Sequence, residues 1–279
     1  MRKPHWLKVP LPNTREFIEM RGLLGRLNLH SVCQEARCPN MGECFHSGTA
    51  PFLILGEICT RNCRYCNVRH GQPAPVDASE PGRLVEAVKA LGLRYIVITS
   101  VTRDDLTDGG AAMFARCVEL LRKELPDCRV EVLIPDLQGN WEALERILEA
   151  GPHVLNHNVE VVPRLFADLR PQGRYALSLE LLRRAASKPG RAITKSGFMV
   201  GLGEEREEIL ALLDDLRAAS CSSLTIGQYL QPSTAHWPVE RFYTPEEFGE
   251  LGREALRMGF RSVVSGPLVR SSYHAAEYA

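Results

Sequence analysis

The chain has 279 residues, 44% hydrophobic and 24% charged, with 34 Lys plus Arg against 34 Asp plus Glu. That length suits one large domain or two small ones, and the composition supports a sizeable core. The balanced charge argues against nucleic acid as a partner, because domains that bind it carry a basic excess. No apolar run of about 18 residues is present to form a transmembrane helix. The first residues, Met1 to Trp6, lack the apolar stretch of a signal peptide. The chain is therefore expected to be cytoplasmic, where a reducing environment makes clustered cysteines metal ligands rather than disulfide partners.

Along the chain, Phe17, Met20, Leu24 and Leu27 recur at three- and four-residue spacing and predict a helix over roughly 14–29. A cysteine-rich, poorly periodic stretch follows, so residues 1–50 read as an N-terminal extension. An alternation then begins. Residues 51–56 form a short apolar strand. Pro81 opens a helix with Leu84, Val88 and Leu91 on one face. Strands are expected at 94–101, 129–134, 153–160, 197–200 and 224–230. Helices are expected at 111–125, 141–149, 177–186, 207–219 and 245–258, and a short last strand at 262–264. Strand–helix alternation repeated six times means βαβ units and a parallel sheet with helices outside. Such units either close partly into a barrel or spread into a doubly wound sheet. The barrel is the expectation, because the candidate functional residues follow several different strands.

Six of the nine cysteines fall in two triplets, Cys33-x4-Cys38-x5-Cys44 and Cys59-x3-Cys63-x2-Cys66. The second follows the first barrel strand and so lies at the C-terminal mouth, where barrel active sites form. Three thiolates on one loop suit three corners of an iron–sulfur cubane and leave the fourth iron open. Structural zinc is the alternative, but it favours paired C-x2-C arms with four ligands, and only one such arm exists here.

The Cys-x3-Cys-x2-Cys loop after strand one of an α/β barrel resembles the radical S-adenosylmethionine (SAM) superfamily. With the upstream triplet, the chain resembles the lipoyl synthases over nearly its whole length. Thr60-Arg61-Asn62, residues 101–110, 156–160, 195–204 and 225–233, and the closing Arg270-Ser271-Ser272-Tyr273 carry that likeness. The resemblance implies an α/β fold with a partial (β/α)6 TIM-type barrel over 51–265, and a C-terminal tail, 266–279, closing over the barrel mouth. It implies two [4Fe–4S] clusters and SAM as cofactors. Cys59, Cys63 and Cys66 would hold the cluster that reduces SAM. Cys33, Cys38, Cys44 and Ser272 would hold an auxiliary cluster that gives up sulfur, with Ser272 also expected to act in catalysis. The substrate would be an octanoyl-lysine on a lipoyl carrier domain or the glycine-cleavage H protein, and the reductant a ferredoxin or flavodoxin. The chain departs from the family around Gly110–Phe114 and Val159–Val161, where histidine, and leucine with threonine, are common. Another sulfur-inserting radical SAM enzyme, such as a biotin synthase-like one, and a non-catalytic metal-stabilised binding protein are the competing readings.

Other residues carry weaker signals. Gly201-Leu202-Gly203-Glu204 follows a strand and opens a helix, a place where backbone amides favour anions. The resemblance implies that Gly201 and Gly203 help hold SAM, and the plain alternative is a strand–helix turn. Asn156, His157, Asn158 and Glu160 end the fourth strand, where alternate residues point into a barrel. Asn158 and Glu160 are candidate SAM contacts, and satisfied core polar groups are the alternative. Arg103, Asp104, Asp105 and Asp108 are functional or simply loop charges. His153, His236 and His274 read as structural. Cys117 reads as a small core residue. Arg183, Arg184, Lys188 and Arg191 read as a solvated basic face, or as a patch that steers an acidic carrier domain.

Overall fold

Amphipathic helices alternating with short apolar strands build one sheet. The computed structural model describes residues 2–9, 15–35, 38, 40, 44, 51–188, 192–273 and 275–277. Helix α1 (Arg15–Arg26) buries Phe17, Met20 and Leu24, the spacing that predicted it. Strand β1 (His30–Ser31) leads into one helical turn, α2 (Val32–Glu35), which carries Cys33. Next come β2 (Pro51–Ile54), the short pair β3 (Ile58–Cys59) and β4 (Arg69–His70), and α3 (Glu80–Leu91). The alternation continues as β5 (Tyr95–Ser100), α4 (Ala111–Glu124), β6 (Arg129–Leu133), α5 (Trp141–Glu149) and β7 (Val154–Asn156). It ends with α6 (Pro163–Leu169), α7 (Tyr175–Ala186), β8 (Ile193–Val200), α8 (Arg206–Ala218), β9 (Ser223–Gln228), α9 (Pro245–Arg257) and β10 (Ser262–Gly266).

The main sheet runs β1-β2-β5-β6-β7-β8-β9-β10. Strand β1 is antiparallel to β2, and from β2 onward every pair is parallel. Among the described residues β10 does not return to pair with β2, so the barrel stays open, as expected. Period-two alternation sorts the faces. Ile96 and Ile98 point outward into the helix-covered core, with Val130 and Val132 beside them. Tyr95 and Val97 face the lumen.

The lumen is polar at its floor. The fully buried Glu131 accepts hydrogen bonds from Tyr95 Oη at 2.6 Å and from Asn156 Nδ2 at 2.9 Å. Lys195 Nζ pairs with the same carboxylate at 3.0 Å. This network explains two differences from the sequence reading. Strand β8 begins at residue 193 rather than 197, because the polar Lys195 faces a buried partner and so hides the strand's pattern. Strand β7 stops at Asn156, after which His157 turns outward between Ile134 O and Ser178 Oγ. Helix α6 was not foreseen, since its seven residues are too few for a clear period.

The C-terminal segment does more than cover the mouth. It leaves β10, passes over Gly227, and places Tyr273 and Ala275 in the lumen beside Glu131 and Lys195. A Cβ built on Gly227 would lie 2.2 Å from the Val269 carbonyl oxygen, so a bare backbone is needed for that crossing. Gly227→Ala should therefore destabilise the protein by about 1–3 kcal/mol, as overpacking does. Urea unfolding together with faster proteolytic trimming of the tail would register it. A neutral result would mean that the tail is not seated on β9.

Candidate functional site

Strand β2 ends in a sharp turn. Leu55 and Gly56 take left-handed φ of 68° and 89° and swing the chain off the sheet into β3. The parallel β3–β4 pair, with Gly71 N donating to Cys59 O at 2.9 Å, pins both ends of the loop that carries Cys59, Cys63 and Cys66. The loop sits at the carboxyl ends of the barrel strands. Burial raises the Cys63 thiol pKa and pushes Cys66 up to about 12, so both stay protonated until a cation claims them. His236 Nε2–H donates to the Cys66 carbonyl at 3.1 Å, and His153 Nδ1 accepts from Val130 N. Both are structural, as expected; His274 lies outside the described residues.

A buried arginine locks the loop in place. Arg61 reaches Asp104 Oδ2 at 2.6 Å through Nε and Oδ1 at 2.9 Å through Nη2. It also meets Asp136 at 2.7 and 2.6 Å. Its side chain is 4% exposed and that of Asp136 only 1%. Burial alone would raise the Asp136 pKa, but the hydrogen bonds and charge of Arg61 outweigh it and hold the group at about 2. The other charges after β5 also find structural work. Arg103 forks onto Asp105 at 2.8 Å and donates to Leu55 O, and Asp108 caps α4 through the amides of Gly110 and Ala112.

The first triplet is tied down by its own backbone and by the tail. Cys38 N donates to Cys33 O, and Cys44 N to Asn40 O, both at 2.9 Å. Cys33 hydrogen-bonds to Cys38; the contact raises the Cys33 pKa and lowers that of Cys38, and Arg270 adds to the lowering. Asn40 Nδ2 donates to Leu268 O, joining the extension to the start of the tail. Ser272 lies two residues beyond Arg270.

Between the triplets lies a polar saddle. Asn158 Nδ2 donates to Ser271 Oγ at 2.6 Å and to Glu160 Oε1 at 3.1 Å. Glu160 has φ of 71° and is bridged to Phe198, and burial raises its pKa. Arg170 Nη1 donates to Asn158 O at 3.0 Å. Asn158 thus meets both Glu160 and the tail. Gly201 and Gly203 are placed differently. Gly201 N and Leu202 N already donate to the Glu204 carboxylate at 2.6 and 2.9 Å, which favours the turn reading over an open anion site. A Cβ on Gly201 would meet Gln228 Nε2 at 2.1 Å. Arg170 and Asp136 escaped the sequence reading because each is a single charge in an ordinary loop.

The donor sets fit iron–sulfur clusters. All six cysteines are free thiols. Zinc holds its thiolates about 3.8 Å apart, given Zn–S bonds of about 2.3 Å in a tetrahedron. Among the described residues, His30, Glu35 and Glu57 alone bring three ligand atoms within 4.8 Å of one another. The fit rests on the donors themselves: each site offers three thiols, the ligand type that iron–sulfur clusters take. The saddle also fits a polar ligand such as SAM. Asn158 Oδ1 and Arg170 Nε are buried there without a hydrogen-bond partner among the described residues.

Comparison with known proteins agrees. The model of the radical SAM superfamily matches residues 53–216, and that of the N-terminal domain of lipoyl synthase matches residues 1–38. The chain is 55% identical to the lipoyl synthase of Roseiflexus sp. (strain RS-1), covering 98% of this chain and 91% of that one. It is 53% identical to the lipoyl synthase of Nitrosococcus oceani, covering all of this chain and 86% of that one. The chain belongs to the lipoyl synthase family. The barrel also resembles the structure of HydG, a maturase of the [FeFe]-hydrogenase, with a TM-score of 0.61 at 18% identity over 89% of this chain and 62% of that one. That likeness concerns the fold alone.

Within this lipoyl synthase family member, the Arg61 clamp gives two expectations. Arg61→Met strands buried Asp136 and should cost about 3–5 kcal/mol in urea unfolding. Adding Asp136→Asn should return part of it. The depressed Asp136 group stabilises the fold above its ordinary value of 3.8, and that contribution is lost as pH falls towards about 2. Acid titration of wild type against Asp136→Asn should show the difference shrinking over that interval.

Proposed function

We infer that the chain is a radical SAM sulfurtransferase, which inserts sulfur at C6 and C8 of a protein-bound octanoyl-lysine to give the lipoyl group. The observation that carries this reading is the joining of two three-cysteine sites by one polar saddle and one returning tail. When bound, one [4Fe–4S] cluster supplies an electron to SAM, and the other supplies the sulfur atoms. Cys59, Cys63 and Cys66 would hold the first. Cys33, Cys38 and Cys44 would hold the second, with Ser272 as its fourth ligand. The positive charge of Arg270, which acts on Cys33 and Cys38, supports that placement of the tail. Asn158 and Glu160 supply an amide and a carboxylate at the saddle, where they would bind polar groups of SAM. Arg170 holds the backbone of Asn158 in place. The chain divides by task into an extension (1–50), a barrel (51–265) and a tail (266–279).

Ser272 offers a hard oxygen among soft thiolates, the weakest donor of its set. Its release would open the auxiliary site to substrate. The octanoyl-lysine would arrive on a lipoyl carrier domain or the glycine-cleavage H protein, with a ferredoxin or flavodoxin as reductant. The setting we propose is cytoplasmic. Among the described residues, no helix is long and apolar enough to cross a membrane.

Anaerobic incubation with an octanoyl-lysine peptide, SAM and dithionite tests the function. A peptide that gains two sulfurs in place of two hydrogens is the expected product. SAM cleavage with no sulfur gained would overturn the reading. Ser272→Cys should keep both clusters by iron analysis and lose sulfur insertion, whereas full turnover would remove the role given to the serine.

A further inference from the structure

The loop that carries the second triplet also has an open surface. A groove of about 680 Å³ is lined there by Cys63 and Cys66, with Arg64, Arg69, His70 and Trp237 around them. Cys59, Glu160 and Arg170 do not line it. Arg64, Arg69 and His70 are exposed. The residues that line the groove include no carboxylate. Arg69 contacts Glu57 beneath it, while Arg64 has no ion-pair partner among the described residues. The segment that follows Ser233 bonds to the loop here. Its His236 bonds to Cys66 O, and its Trp237 N bonds to Arg64 O at 2.9 Å.

We propose that this groove is the docking site of the one-electron carrier that reduces the enzyme, a small protein with an acidic face around a flavin or iron–sulfur centre. The proposal rests on the reductive function inferred above. Electron transfer weakens steeply with distance, and here the ligand residues of the SAM-reducing site themselves form the groove wall. Charge supplies the orientation. A cationic rim steers an acidic partner and raises its association rate. Electron-transfer complexes are small and short-lived, so a shallow groove with a few charges is enough. The step is a bare electron transfer. The carrier is oxidised by one electron and the cluster behind Cys63 and Cys66 is reduced by one, with no bond made and no proton moved.

The other basic run is a poorer site. Arg183 and Arg184 are both engaged by Glu180, and Lys188 pairs with Glu145 at 2.8 Å. Arg191 lies outside the described residues.

The test uses the cluster-loaded enzyme and purified flavodoxin. Its affinity for wild type, Arg64→Glu/His70→Glu and the control Arg183→Glu is measured by calorimetry at two salt concentrations. SAM cleavage by each protein is measured with flavodoxin and with dithionite. The double variant should bind flavodoxin at least tenfold more weakly, with a flatter salt dependence. Its ratio of flavodoxin-driven to dithionite-driven cleavage should fall by a similar factor, and the control should match wild type. The ratio cancels any damage to the cluster loop itself. An unchanged affinity and ratio overturns the proposal. So does a loss of affinity confined to an octanoylated lipoyl domain, which would make the groove a substrate surface. Absence of SAM cleavage by wild type with dithionite would instead strike the reductive function.

Discussion

The structure depends on one close approach, the crossing of the C-terminal segment over Gly227 at the barrel mouth. From that crossing the segment reaches in two directions. Leu268 accepts from Asn40 in the extension, and Ser271 accepts from Asn158 at the end of β7. Residues more than a hundred positions apart are thereby held at one place. The first triplet, the saddle and the tail then form a single unit, although no one of them is a regular element of the barrel.

Burial and charge divide the labour around that unit. The lumen floor carries a network in which Tyr95, Asn156 and Lys195 all converge on the Glu131 carboxylate. A buried charge so paired is costly to break and has little left to offer a ligand. The mouth is the opposite case. There Asn158 and Arg170 keep unpartnered polar atoms, and burial raises Glu160 and the Cys63 and Cys66 thiols. At the floor the charges of Glu131 and Lys195 already have each other. Arg61 stands between the two regimes. Its two carboxylates, Asp104 and Asp136, fix the cysteine loop to the segments that follow β5 and β6.

Much of this was legible in the sequence, and the exceptions have physical causes. Leu84, Val88 and Leu91, or Phe114, Cys117 and Leu121, announce helices because their spacing matches the buried face. Lys195 concealed the start of β8, since a charged residue in a strand reads as exposed until its buried partner is known. The cysteine spacing announced two metal sites, but it could not show that Asp136 anchors the loop from 75 positions away. The glycines at 201 and 203 looked like an anion cradle. Glu204 fills that cradle from three residues downstream, a local contact that residue type alone does not reveal.

The central claim is that the two triplets have separate tasks. Replacing Cys33, Cys38 and Cys44 together by alanine tests it most directly. The account predicts a folded protein that loses about half of its roughly eight irons, the content of two four-iron clusters. It should still cleave SAM and should add no sulfur to an octanoyl-lysine peptide. A variant that keeps inserting sulfur, or one that loses SAM cleavage while its remaining cluster is intact, would contradict the account.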